Sequence, residues 1–273
     1  MKRKGQVFDG FIVLIALVAI VTTIFALFFI NKQLTATFDN PLTFMNVKSE
    51  AREAHFYIQS SAELAAQQAI HDILRELPVS STTTCSVSPD NPIVFDNDCA
   101  LGDVEKSFSE KFKPAFTKYL QGYESTFKEI EEGSVQLEQF SKNIQELSAD
   151  TFELKFAENR LDVKANNRIQ YTYKAATYEV DPSFDIELKL SPEEISELYT
   201  KVKSAFDECS KDNALVACLQ GKELSSEKLA LANIKAEGVN IVVFTFTTKD
   251  KFFFSEGSLK YGQITFSFAF SKG

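Results

Sequence analysis

The chain has 273 residues, 44% hydrophobic and 25% charged, which is the composition of a folded protein rather than a disordered one. Its formal net charge of −9 opposes approach to phosphate backbones, so nucleic-acid binding is set aside. With 26 Phe and no Trp, the core has to be built from Phe, Leu, Ile and Val.

Residues 11–30 read FIVLIALVAIVTTIFALFFI, twenty positions without a charge, Gly or Pro. As a helix this run spans roughly 30 Å, the thickness of the hydrocarbon layer. Fifteen of the twenty are Leu, Ile, Val or Phe, which favours insertion by about 5–9 kcal/mol. Thr22 and Thr23 can return their hydroxyls to the helix backbone. Two other readings compete. A buried soluble helix is rarely apolar all round for so long, and a cleaved secretory signal, here ending near Thr35-Ala36-Thr37, has a shorter apolar stretch. Lys2, Arg3 and Lys4 precede the run and only Lys32 closely follows it, so the positive-inside rule leaves the N-terminus in the cytoplasm and the bulk outside.

The run Lys2-Arg3-Lys4-Gly5-Gln6-Val7, set directly before that apolar stretch, resembles the class III signal of archaeal type IV pilin-like proteins. The resemblance covers about the first 30 residues. It implies cleavage between Gly5 and Gln6 by a prepilin peptidase-like enzyme, with the apolar segment kept as anchor. It also implies self-association through that segment. Pilins commonly carry Glu at the fifth mature position, whereas this chain has Asp9 fourth and Gly10 fifth. Asp9 could meet a neighbour's terminal ammonium in a subunit contact, or it could cap the helix at headgroup level.

Beyond the anchor, Asp39-Asn40-Pro41 is a helix-start signal. Ile58, Ala62, Ala65, Ala69, Ile73 and Leu77 recur at steps of three or four, which predicts a helix over 42–77, either a stalk or a core helix. Residues 78–101 read as a loop. Val104, Phe108, Phe112, Ala115 and Tyr119 predict a second helix from Asp103, with Pro114 kinking it or starting a new one. The helical periodicity continues through Leu137, Phe140, Ile144 and Leu147.

From Asp150 the period becomes two. Phe152, Leu154 and Phe156 predict a strand, Glu158-Asn159-Arg160 a hairpin turn, and Leu161 with Val163 its return. Ile169, Tyr171 and Tyr173 predict another strand. Phe184, Ile186, Leu188 and Leu190 alternate with Asp185, Glu187 and Lys189, the mark of a half-buried antiparallel strand. Ser191-Pro192-Glu193-Glu194 is a capping box opening a helix to about Glu208, and a short helix surrounds Cys218. Strands return at 239–248 and 264–271.

Four cysteines follow the anchor, on the side where disulfides persist. Three pairings are possible; the local one, Cys85 with Cys99 and Cys209 with Cys218, is expected. A four-thiolate zinc site and free buried thiols are the alternatives, the former disfavoured by the lack of CxxC knuckles. His55 and His71 lie too far apart on one predicted helix to share a metal. No GxSxG, HExxH or P-loop pattern occurs, so neither catalysis nor a cofactor is expected.

The expected fold is therefore α+β. A basic N-terminus (1–10) and transmembrane helix (11–30) lead into a mainly helical region (31–149). An antiparallel sheet with an inserted helical hairpin (150–273) follows. The expected role is that of a single-pass surface or structural protein of the cell membrane. The alternative is a tethered binding module or envelope-complex subunit with its own protein partner.

Overall fold

The computed structural model describes residues 41–80, 92–96, 99–128, 152–157, 159–166, 168–173, 176–211, 214–237 and 240–271. The elements in chain order begin with α1 (Pro41–Arg75), β1 (Ile93–Phe95), α2 (Val104–Lys128), β2 (Phe152–Ala157), β3 (Arg160–Ala165), β4 (Ile169–Tyr173), β5 (Ala176–Val180) and β6 (Phe184–Glu187). They continue with α3 (Pro192–Cys209), α4 (Leu215–Gln220), β7 (Leu229–Glu237), β8 (Ile241–Thr248), β9 (Phe252–Ser255), β10 (Leu259–Gly262) and β11 (Thr265–Ser271). The fold is α+β. The expected span at 11–30 lies outside the described residues, and among those described no helix is long and apolar enough to cross a membrane.

The chain divides into two compact units. The smaller contains residues 41–54, the start of α1, and residues 170–180, most of the two-stranded β4–β5 sheet. The larger unit takes His55–Ile169 and Asp181 onward.

Its core rests on the four-stranded sheet β1-β11-β8-β7. Antiparallel register sets Phe268 opposite Phe244 and Phe266 opposite Phe246, so period-two alternation puts these rings on one face. On the other face Thr245 hydrogen-bonds Ser267 at 2.9 Å and Thr247 meets Thr265 at 3.1 Å. Helix α3 covers the aromatic face: Tyr199 lies 5.5 Å and Phe206 5.4 Å from Phe270, ring centre to ring centre. Its start has the full capping box, with Ser191 Oγ accepting from the Glu194 amide and Glu194 Oε2 accepting from the Ser191 amide.

A second layer pairs α2 with the three-stranded antiparallel sheet β2-β3-β6. Val104, Phe108, Phe112, Phe116 and Leu120 are all buried, a ladder of pure i+4 steps. Phe108 meets Phe156 edge-on at 5.2 Å and Phe116 meets Phe152 at 5.3 Å. Asp103 caps the helix by accepting from the Lys106 amide at 2.9 Å.

Several expectations need correcting. The α2 stripe runs through Phe116 and Leu120, while Ala115 and Tyr119 are only half-buried, because the ridge advances by four at every step. Pro114 neither ends α2 nor starts a new helix; it sits within it, on the exposed side. The predicted loop at 78–101 contains β1, which pairs parallel to β11. The antiparallel sheet is thus a mixed four-stranded sheet, a separate antiparallel three-stranded sheet and two two-stranded ones. The helical hairpin, α3 with α4, is inserted between β6 and β7 as expected.

Close approach at one point requires glycine. A Cβ on Gly102 would lie 3.1 Å from the carbonyl of Val79, whose bridge to Leu101 closes the segment around β1.

Candidate functional site

The β9–β10 hairpin carries the most chemistry in the larger unit. In β9, Phe252 and Phe254 are buried while Phe253 faces out. A three-residue turn, Glu256-Gly257-Ser258, joins the strands, and Gly257 takes the positive φ of +79° that such a turn needs. The free edge of β9 is closed by α1. Gln67 Oε1 accepts the Phe253 amide at 2.8 Å and Gln68 Oε1 accepts the Ser255 amide at 2.7 Å. Side chains thereby satisfy amides that an open edge would offer to another strand.

His71 fixes the same hairpin to α1. Its ring stacks on Phe254, centroids 4.4 Å apart and 9° from parallel. Nδ1 lies 3.0 Å from Asp72 Oδ1 and Nε2 lies 3.2 Å from Glu256 Oε1. Only the doubly protonated ring can donate to both carboxylates at once. Glu256 also receives Arg75 at 3.3 Å and Lys260 at 2.7 Å. The Lys260 hydrogen bond first, and His71 after it, hold the Glu256 carboxyl below the usual range against the opposing effect of desolvation.

The sign of the resulting pH dependence is fixed. A depressed carboxyl stabilises the fold above its unfolded value, near 4.5, and that contribution disappears as pH falls through the folded value. Glu256→Gln is expected to lower Tm at pH 7 and to flatten the fall in Tm between about pH 5 and pH 3. Thermal melts of both proteins across that window check this; parallel curves would remove Glu256 from the account.

Two grooves flank the hairpin. One, of about 230 Å³, is lined by Glu63, Gln67, Glu187, Lys189 and Phe252 among others. The other, of about 240 Å³, is lined by Gln68, Asp72, Lys111, Lys118, Tyr119 and Ser255, with Pro114 and Ala115. Burial first, then the Asp72 charge, raises the Tyr119 phenol above its ordinary range. Tyr57 donates to the Tyr119 carbonyl and ties α1 to α2 behind this groove.

No family model, curated protein or solved structure matches this chain. The site's meaning therefore rests on its own chemistry. Among the described residues, no group of three His, Cys, Asp or Glu side chains could hold a metal. His55 sits apart from His71, its ring 6.2 Å from Phe184.

Of the residues singled out from sequence, Gly5, Gln6, Asp9 and Cys85 lie outside the described residues. Cys209 and Cys218 form a disulfide with Cα atoms 5.7 Å apart. Cys99 is buried and also disulfide-bonded. Gln67, Gln68 and Glu256 escaped sequence reading because their partners are remote; Gln68 and Ser255 are 187 positions apart. The one available signal was the Phe252-Phe253-Phe254 run, too apolar for a free loop.

Proposed function

We propose that this chain is a single-pass membrane-anchored protein whose body lies outside the cytoplasm and serves a pilin-like surface or structural role. The observation that carries the reading is the uncharged twenty-residue run at 11–30 placed directly after Lys2-Arg3-Lys4-Gly5-Gln6. Two features of the body support it. The Cys209–Cys218 disulfide suits an oxidising compartment. Helix α1 begins soon after the run, and its later residues Ile58, Ala62, Ala65 and Ala69 are buried in the larger unit. The lipid bilayer and a prepilin peptidase-like enzyme are then its first partners, with self-association through the anchor and Asp9.

Mass spectrometry of the mature protein tests the processing. A first residue of Gln6 is expected; an intact Met1 or Lys2 would leave an unprocessed signal anchor and sink the pilin-like part. Protease added to intact cells should cut beyond residue 30, and complete resistance would refute the topology. The second reading is a tethered binding module within an envelope complex. It is favoured by the exposed aromatic side chains of the β9–β10 hairpin.

A further inference from the structure

Both ring nitrogens of His71 face carboxylate oxygens, Nδ1 that of Asp72 and Nε2 that of Glu256. A neutral imidazole has one N–H and one lone pair, so losing its second proton to solvent turns a lone pair on one of the two acids. Asp72 is the next residue along α1, and Gln68 Nε2 donates to the same oxygen at 2.8 Å. It has nowhere to go. Glu256 lies in the hairpin turn and travels with Lys260, its nearest partner at 2.7 Å. The turn is therefore the side that yields.

The charges around the ring fix the sign. On α1 they are Asp72 and Arg75, and on the hairpin Glu256 and Lys260. From α2, Lys111, Lys118 and Tyr119 line the groove that Asp72 shares, and Lys111 is paired with Glu76 at 3.1 Å. Arg75 and Lys260 oppose a proton on the ring. Their side chains are 60% and 48% exposed, so water screens them, while the ring is 6% exposed and touches both carboxylates directly. The parallel face of Phe254 beneath it also attracts a cation. The closed hairpin thus favours the protonated ring.

We infer that the β9–β10 hairpin is a pH-sensitive flap, latched to α1 by the doubly protonated His71 ring and loosened when that ring gives up a proton. A proton that the closed form binds and the open form releases stabilises closure at low pH, and this contribution is lost as pH rises. Once the latch is released, the side-chain oxygens of Gln67 and Gln68 are what still hold the β9 amides. Opening uncovers Phe252 and Phe254, both buried in the closed form. The device therefore shows apolar surface on the alkaline side and hides it on the acidic side. The inference does not rest on the anchor, and its failure would leave the membrane reading untouched.

Hydrogen exchange of the full-length protein tests it, read over the peptide carrying residues 252–262 and corrected for the intrinsic pH dependence of exchange. The window runs from about pH 5.5 to about pH 8.5, where an imidazole changes charge and the other kinds of group around it do not. Across it the opening constant of that peptide should rise about tenfold, while the peptide spanning β8 stays unchanged. Glu256→Gln alters a partly exposed turn residue and offers an amide N–H to the neutral ring, so its opening should be flat across the window. His71→Gln should open at pH 5.5 at least as readily as wild type does at pH 8.5. A flat wild-type response would overturn the inference. So would an equal rise in the β8 peptide, or a rise that persists in either variant.

Discussion

Phe268→Ala is expected to destabilise the larger unit by about 3–5 kcal/mol, the cost of emptying a fully packed aromatic position. Phe268 is 1% exposed and lies on β11 between β1 and β8. Its ring centre is 5.6 Å from Phe246, 5.8 Å from Phe270 and 6.1 Å from both Phe244 and Phe95. It therefore bridges three strands, and Tyr199 of α3 closes over it at 6.3 Å. So many neighbours on different elements cannot all collapse into the vacated volume, which places the cost toward the upper end. Urea unfolding should show a lower midpoint with an unchanged slope. Phe253→Ala, on the exposed face of β9, is the control and should move the midpoint little. A loss under about 1 kcal/mol at Phe268 would mean that the aromatic face is not the core described here.

Replacing Cys209 and Cys218 together by serine should cost about 3 kcal/mol in the chain-entropy view, given their separation of nine positions. For a unit of this size that corresponds to a Tm lower by roughly 6–12 °C. The reason is local as well. Helix α4 has only six residues, far too few to persist in water alone, and Leu219 is its only buried residue. The disulfide fastens it to the end of α3, where Cys209 is fully buried. Hydrogen exchange should consequently speed up first at the amides around Cys218 and Gly221, which bond to the Ala214 and Ala217 carbonyls. Equal melting of the double variant and wild type would show that packing alone holds α4.

How much of this was legible in the sequence follows from what each element needed. Phe184, Ile186, Leu188 and Leu190 alternate with Asp185, Glu187 and Lys189, and all four apolar residues are buried, but β6 ends at Glu187, short of the strand the alternation predicts. Ser191 to Glu194 carried its capping box in four consecutive letters, and both hydrogen bonds are present. Local grammar suffices where the partner is a few residues away. β7 was not legible because LALANIKAE has the composition of a helix, and its strand state is imposed by eight register pairs with β8. β1 is three residues long and gains its identity only from β11. In β9 three consecutive Phe hide the alternation that burial then reveals. The candidate site was least legible of all, since Gln67, His71 and Glu256 acquire their roles from partners at the other end of the chain. The place of His71 between Asp72 and Glu256 has no local signature in the sequence, because Glu256 is remote in the chain.

The position of β11 bears on the order in which the protein can mature. The ribosome makes this strand after every other element described, yet it is an interior strand of its sheet. Until residue 271 exists, β8 has a neighbour on one side only, and Phe244 and Phe246 lack the rings that cover them. Closure then joins Ile93 to Phe268 across most of the chain, the slow kind of encounter that leaves sticky intermediates behind. Among the described elements, the body therefore stays open until its last strand has been made, and its exposed aromatic face is then the part most prone to sticking to other chains.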